Sequence, residues 1–174
     1  ATEWAFGEPD LIVPVPAQEI PATGVLEYID VIVPIPGLTE DRWLKASQYI
    51  SSEPTVLHHT LNALIEPGQS PRPGLIGSFS HPDAPYITPY IPGAEPYIED
   101  PDTGGLLKAG TTLALNMHYT TTGRAAVDEG QIGLWFYDED EVPTQRKLGE
   151  CACIFYNEWT DVPPNDPDFE QIKS

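Results

Sequence analysis

The stretch TVLHHTLNALI, residues 55–65, has the apolar alternation of a buried β-strand and carries two of the four histidines in the 174-residue chain. On a regular strand, neighbouring side chains point to opposite faces, so His58 falls on the side of Thr60 and His59 on the side of Leu61. Both rings can bind one metal ion only where the strand is bent or bulged, or lies at the rim of a sheet. On a regular strand, His59 is instead a hydrogen-bonded core histidine and His58 a surface one.

The two-residue period of strands recurs elsewhere in the chain. The other alternating segments are GVLEYIDVIVP (24–34), RWLKA (42–46), TTLALNMHYT (111–120), QIGLWFYD (131–138) and CACIFYN (151–157). Twenty prolines leave little room for long helices, because proline is excluded from helix interiors. The chain is therefore predicted to be all-β: an antiparallel β-sandwich of the jelly-roll or Greek-key type, with long proline-rich loops and little helix.

The length of the chain predicts one sandwich domain flanked by extended ends. We expect an extended N-terminal segment at 1–20, a single domain at 21–157 and an extended C-terminal tail at 158–174. Within the domain, the longest connection runs from 66 to 110 and is rich in Pro, Gly, Tyr and Asp. A connection of this length is expected to pack over the sheets through its aromatic residues.

The charge of the chain restricts its partners. It has 27 acidic against 8 basic residues and a formal net charge of −19, which would repel phosphate backbones and anionic lipid surfaces. No nucleic-acid partner is expected and, since no run of 18 apolar residues occurs, no membrane insertion either. The numbered sequence starts at Ala1 without an apolar signal segment, so it is interpreted as a mature or trimmed chain of extracellular or periplasmic (secreted) location.

The two cysteines, Cys151 and Cys153, form a CAC motif. This spacing does not match a zinc ribbon, a thioredoxin CxxC or a haem CxxCH motif. On a strand both thiols would point to one face. Three alternatives are open. The cysteines are small core residues, or they form a bond to a neighbouring chain, or they form a strained local disulfide or a soft-metal site.

Two segments, 21–68 and 93–143, resemble the first half of the copper type II, ascorbate-dependent monooxygenases, which include the peptidylglycine and dopamine hydroxylases. The motifs that carry the resemblance are TEDRW, the adjacent histidine pair on a strand, the LKAGT turn, MHYTTTG at a strand end, and IGLWF after it. Together and in this order, the motifs are specific for the family, whereas any one of them alone would not be. The resemblance covers most of residues 4–143.

The resemblance implies a jelly-roll domain that binds one copper ion through an adjacent histidine pair and a later histidine. The residues at those positions are His58, His59 and His118. Three imidazoles without thiolate or carboxylate suit copper cycling between Cu(I) and Cu(II), and zinc is the usual competitor. His81 matches no ligand motif and is either an ordinary loop histidine or an accessory metal ligand. Met117 adjoins His118 but points to the opposite face, and is predicted to be core.

The chain also departs from that family. The family's second domain binds its copper through an HxH pair and a methionine, whereas this sequence has no HxH and its one methionine is already assigned to the core. By the resemblance, the copper of the first domain stores and passes an electron. The chain alone is therefore not expected to be catalytic.

Three functions are consistent with these residues. The first is a secreted single-domain copper-binding protein, for electron transfer with a redox partner protein or for copper handling. The second is a fragment or partner subunit of a two-domain copper monooxygenase. The third is a structural subunit of an extracellular filament or surface assembly, a homo-oligomer joined through its proline-studded N- and C-terminal tails. In the alternative to that third function, the tails fold back on their own domain or act as linkers.

Overall fold

The strands of this chain were identified in a computed structural model that describes residues 3–70 and 87–146. Within those ranges there is no helix, which confirms the all-β prediction. The strands are β1 (Leu11–Pro14), β2 (Gln18–Ile20), β3 (Ile29–Pro34), β4 (Arg42–Ile50), β5 (Leu57–Ile65), β6 (Tyr97–Ile98), β7 (Thr103–Leu107), β8 (Thr112–Tyr119), β9 (Ala126–Asp128), β10 (Gln131–Phe136) and β11 (Gln145–Arg146).

These strands form three sheets. A six-stranded sheet has the order β1-β10-β4-β7-β11, with β6 also paired to β4, and a three-stranded sheet has the order β3-β8-β5. The pair β2-β9 forms a small separate sheet. Every pairing is antiparallel except the short parallel contact of β11 with β7. The architecture fits a β-sandwich, and the jelly-roll or Greek-key order stays a prediction.

One hydrophobic core joins the six-stranded and three-stranded sheets. Alternating residues of β8 enter it, because every second side chain of a strand points to the same face. Buried residues of the same cluster come from β1, β4, β5 and β10. With those of β8, the buried residues of the cluster include Val13, Leu44, Leu57, Leu113, Leu115, Met117, Ile132 and Leu134. The core therefore lies on the inner face of β8, and the outer face is left for other side chains.

The connection between 66 and 110 contains more structure than predicted. The strands β6 and β7 lie inside it, so the prediction of one long loop is wrong there. Within the same connection, Ile87 is buried in the core and the ring of Tyr90 packs 5.6 Å from the ring of Tyr49, centroid to centroid. The expectation that this connection packs down through its aromatic residues is confirmed for Tyr90.

The N-terminal segment pairs within its own chain. Its strand β1 lies antiparallel to β10, and β2 lies antiparallel to β9. Gln48 fixes the start of the segment, because its side chain accepts a hydrogen bond from the Ala5 amide at 2.8 Å and donates one to the Glu3 carbonyl at 3.0 Å. The segment thus folds back on its own domain. The C-terminal tail at 158–174 and the strand predicted at 151–157 lie outside the described residues, and assembly through tails stays a prediction. In the part of the chain that the structure describes, no helix is long and apolar enough to cross a membrane.

Candidate metal centre

A β-bulge at the start of β5 brings the two neighbouring histidines to one site. In the pairing of β5 with β8, Leu57 lies opposite Tyr119 and His59 lies opposite His118, with a register shift between them. His58 is the additional residue on the β5 side. Because a bulge places two residues opposite one, His58 and His59 both reach His118. The irregular strand that a shared site requires is therefore present.

The three imidazoles converge through their Nδ1 atoms. The Nδ1 of His58 lies 3.3 Å from that of His118 and 3.0 Å from that of His59. One ligand atom from each of the three residues lies within 4.8 Å of the others. Two nitrogens bound at about 2.0–2.1 Å to one ion, at angles of about 90–110°, lie about 2.9–3.4 Å apart. The two Nδ1 distances at His58 thus fit nitrogens that share one metal ion, and the third ring lies within reach of the same point.

A chain of hydrogen bonds that passes through His58 does not explain this arrangement. In any one tautomer an imidazole Nδ1 carries either a hydrogen or a lone pair, so it donates or accepts but does not do both. The Nδ1 of His58 faces two other Nδ1 atoms at short distance. It cannot accept from one of these neighbours while donating to the other. A cation that accepts all three lone pairs resolves the conflict.

Tyr28 covers one side of the cluster. It directly precedes β3, where Ile29 lies opposite Met117, so Tyr28 comes next to His118 across the sheet. Its ring stacks on that of His118, with centroids 4.4 Å apart and an interplanar angle of 16°. Its centroid also lies 5.7 Å from that of His59. Tyr28 therefore restricts the orientation of the His118 ring, and nothing in the sequence motifs indicated that role.

Burial differs among the three histidines. His58 is exposed, whereas His59 and His118 are half-buried. Burial first, and then the neighbouring rings of His118 and His58, lower the pKa of His59 below the usual 6.5. A lowered pKa keeps the ring of His59 neutral, which is the form that binds a metal.

The structure thus brings together three of the sequence-predicted site residues. His58, His59 and His118 form one cluster. His81, Cys151 and Cys153 lie outside the described residues, so an accessory ligand or a cysteine bond stays a prediction. Met117 is fully buried in the core, as predicted, and takes no part in the cluster.

The case for a metal site rests on this geometry and on the chemistry of imidazole. The resemblance to copper monooxygenases stays a prediction. Comparison with known proteins gives no match: no family model, no curated protein and no solved structure is significantly similar to this chain.

Proposed function

We propose that this protein is a secreted copper-binding β-sandwich that holds one copper ion through His58, His59 and His118, for electron transfer or copper handling. The observation that carries the proposal is the convergence of three imidazole nitrogens, all within 4.8 Å of one another, at a bulge that turns two neighbouring histidines toward the third.

The donor set supports copper. Neutral imidazole is a good ligand for copper and zinc, whereas calcium, magnesium and manganese prefer carboxylate, carbonyl and water oxygens. The cluster contains no carboxylate and no thiolate. Among divalent ions, Cu²⁺ binds a given nitrogen site more tightly than Zn²⁺ does. When bound, copper supplies a one-electron step between Cu(I) and Cu(II).

The chain's own residues would prepare the site for that ion. Tyr28 holds the ring of His118, and the lowered pKa of His59 keeps a lone pair available. His58 is exposed, so an ion or a redox partner can reach the cluster from solvent. Within residues 3–70 and 87–146, no other group of three or more metal-ligating side chains converges in this way.

Metal titration of the purified, chelator-stripped chain tests the proposal. We expect one Cu²⁺ per chain and an electron paramagnetic resonance (EPR) spectrum with nitrogen hyperfine coupling. The His118→Ala variant should lose this spectrum, whereas the matched control His81→Ala, which removes the fourth histidine of the sequence, should keep it. Equal copper binding by both variants, or a wild-type chain that binds only zinc or no metal, would contradict the proposal.

A further inference from the structure

A second feature of the structure is a buried carboxylate. Asp128 ends β9, has none of its surface exposed and accepts four hydrogen bonds. Its Oδ1 accepts from the hydroxyls of Ser51 at 2.7 Å and Ser52 at 3.3 Å and from the Glu53 amide at 3.0 Å. Its Oδ2 accepts from the Tyr119 hydroxyl at 2.9 Å. Burying a carboxylate is costly unless such donors surround it, so the donors are a specific requirement of this position.

The four donors come from the two chain segments that carry the histidines. Residues 51–53 directly follow β4 and lead, through a turn at 54–56, into β5 and its bulge. Tyr119 is the immediate neighbour of His118 and ends β8. A backbone hydrogen bond from the Thr120 amide to the Val56 carbonyl, at 2.8 Å, joins the same two segments again. One carboxylate therefore ties both histidine-bearing segments to each other.

We propose that Asp128 is a positioning residue of the metal centre: its carboxylate holds the entry to the β5 bulge against the end of β8 and so sets the spacing of the three Nδ1 atoms. This inference rests on the proposed function. Asp128 does not touch the imidazoles in this arrangement. It acts through Ser51 and Glu53 on one side and through Tyr119 on the other.

Tyr119 is the donor that links the carboxylate most directly to a ligand. Its hydroxyl donates to Asp128 Oδ2 at 2.9 Å, and both residues are buried. Its ring is buried in the core, so loss of the hydroxyl alone leaves the packing in place.

Two variants test the inference in the full chain. Tyr119→Phe removes one hydroxyl, and Asp128→Asn keeps the shape and one carbonyl oxygen but removes the charge. We expect both to weaken Cu²⁺ binding about 10- to 100-fold, the range found when residues that orient metal ligands are changed. We also expect both to change the copper hyperfine coupling in the EPR spectrum, which a loss of stability alone would not do.

The matched control is Tyr137→Phe. The Tyr137 hydroxyl donates a hydrogen bond to the Thr103 carbonyl at 2.8 Å, and neither residue lies in a histidine-bearing segment. This variant should lose stability and keep the wild-type spectrum and affinity.

The outcomes separate this inference from the proposed function. A wild-type chain that binds no copper would contradict both the proposed function and the positioning role of Asp128. A wild-type chain that binds copper, with Tyr119→Phe and Asp128→Asn unchanged in affinity and spectrum, overturns only the positioning role. So does a Tyr137→Phe variant that alters the spectrum equally. If Asp128→Asn fails to fold, Tyr119→Phe decides alone.

Discussion

The three histidines of the cluster are held in place to different degrees. Tyr28 stacks on His118 and lies beside His59, and both of these rings are half-buried, whereas His58 is exposed. Side chains that neighbours already restrain lose less conformational entropy when they bind a ligand. We therefore interpret His59 and His118 as the preorganised part of the site, and His58 as the ligand with more freedom to move as an ion enters or leaves.

The lowered pKa of His59 predicts how the metal-free protein responds to acid. Above pH 6.5 the ring is neutral in both folded and unfolded chains, so it contributes no pH dependence. Between pH 6.5 and the lowered folded value, the unfolded chain binds the proton more tightly, so the free energy of unfolding should fall as pH falls. Denaturant unfolding of the wild type and His59→Gln at pH 7.5 and 5.0 measures this, and His59→Gln should lose less stability on acidification. An equal loss in both proteins would contradict it.

Only part of the site could be predicted from single residues. The bulge requirement, the three proposed ligands and the core position of Met117 follow from alternation and from the family resemblance. Tyr28 and Asp128 could not be found in this way. Tyr28 reaches His118 only through the pairing of β3 with β8, and Asp128 lies in a segment, AAVDEG, whose composition is typical of an exposed turn. Tyr28 contacts a residue 90 positions away, and the buried carboxylate of Asp128 accepts from residues 75–77 positions away. Composition does not reveal such contacts.

At the level of elements, β8 separates the core from the candidate site. Leu113, Leu115 and Met117 are buried inside the sandwich, with at most 1% of each exposed. His118 projects to the other face, where Tyr28 stacks on it. The period of the strand thus excludes the one methionine in the chain from the site, although it is adjacent to a ligand.

Substitution of Met117 tests this separation. Met117→Leu conserves volume, so it should cost less than about 1.5 kcal/mol of unfolding free energy and leave copper binding unchanged. Met117→Ala opens a cavity in the core and should cost about 2–5 kcal/mol. Denaturant unfolding and copper titration of both variants provide the measurement. Loss of the metal from a folded Met117→Leu protein would show that the thioether is a ligand.

The strand β7 shows why the elements were only partly predictable. The alternating segments were found, including β5, β8 and β10, whereas β7 reads TGGLL and shows no alternation. Gly104 is required there for close packing, because a Cβ atom would lie 2.9 Å from the Pro143 side chain and 3.2 Å from the Leu44 carbonyl oxygen. Glycine weakens the pattern by which a strand is recognised, even where the fold depends on it.

At the scale of the whole molecule, the N-terminal segment completes the six-stranded sheet. Its strand β1 covers the edge of β10, and Val13 is fully buried between the sheets. Trp4 and Phe6 pack edge-on against Trp135, with ring centroids 5.8 and 5.3 Å apart. The segment therefore belongs to the structural core of its own domain.

Deletion of residues 1–14 should therefore destabilise the domain. Burial of a side chain such as Val13 contributes about 1.5–3 kcal/mol, and deletion would also uncover the edge of β10, which could then pair between chains. We expect a lower unfolding midpoint and larger species in size-exclusion chromatography. Val13→Ala is the control, because it loses core packing and keeps β1. A truncated chain with the stability and the elution volume of the full one would instead favour a role for this segment outside its own domain.

The bulge in β5 makes the centre sensitive to the length of the chain as well as to its ligands. The loss or gain of one residue near His58 would let β5 pair with β8 without a bulge. Neighbouring positions would then again point to opposite faces, even with every histidine retained. A survey that aligns only histidines would miss such a change. A relative that has the adjacent pair without the additional residue should be an ordinary sandwich with no affinity for metal.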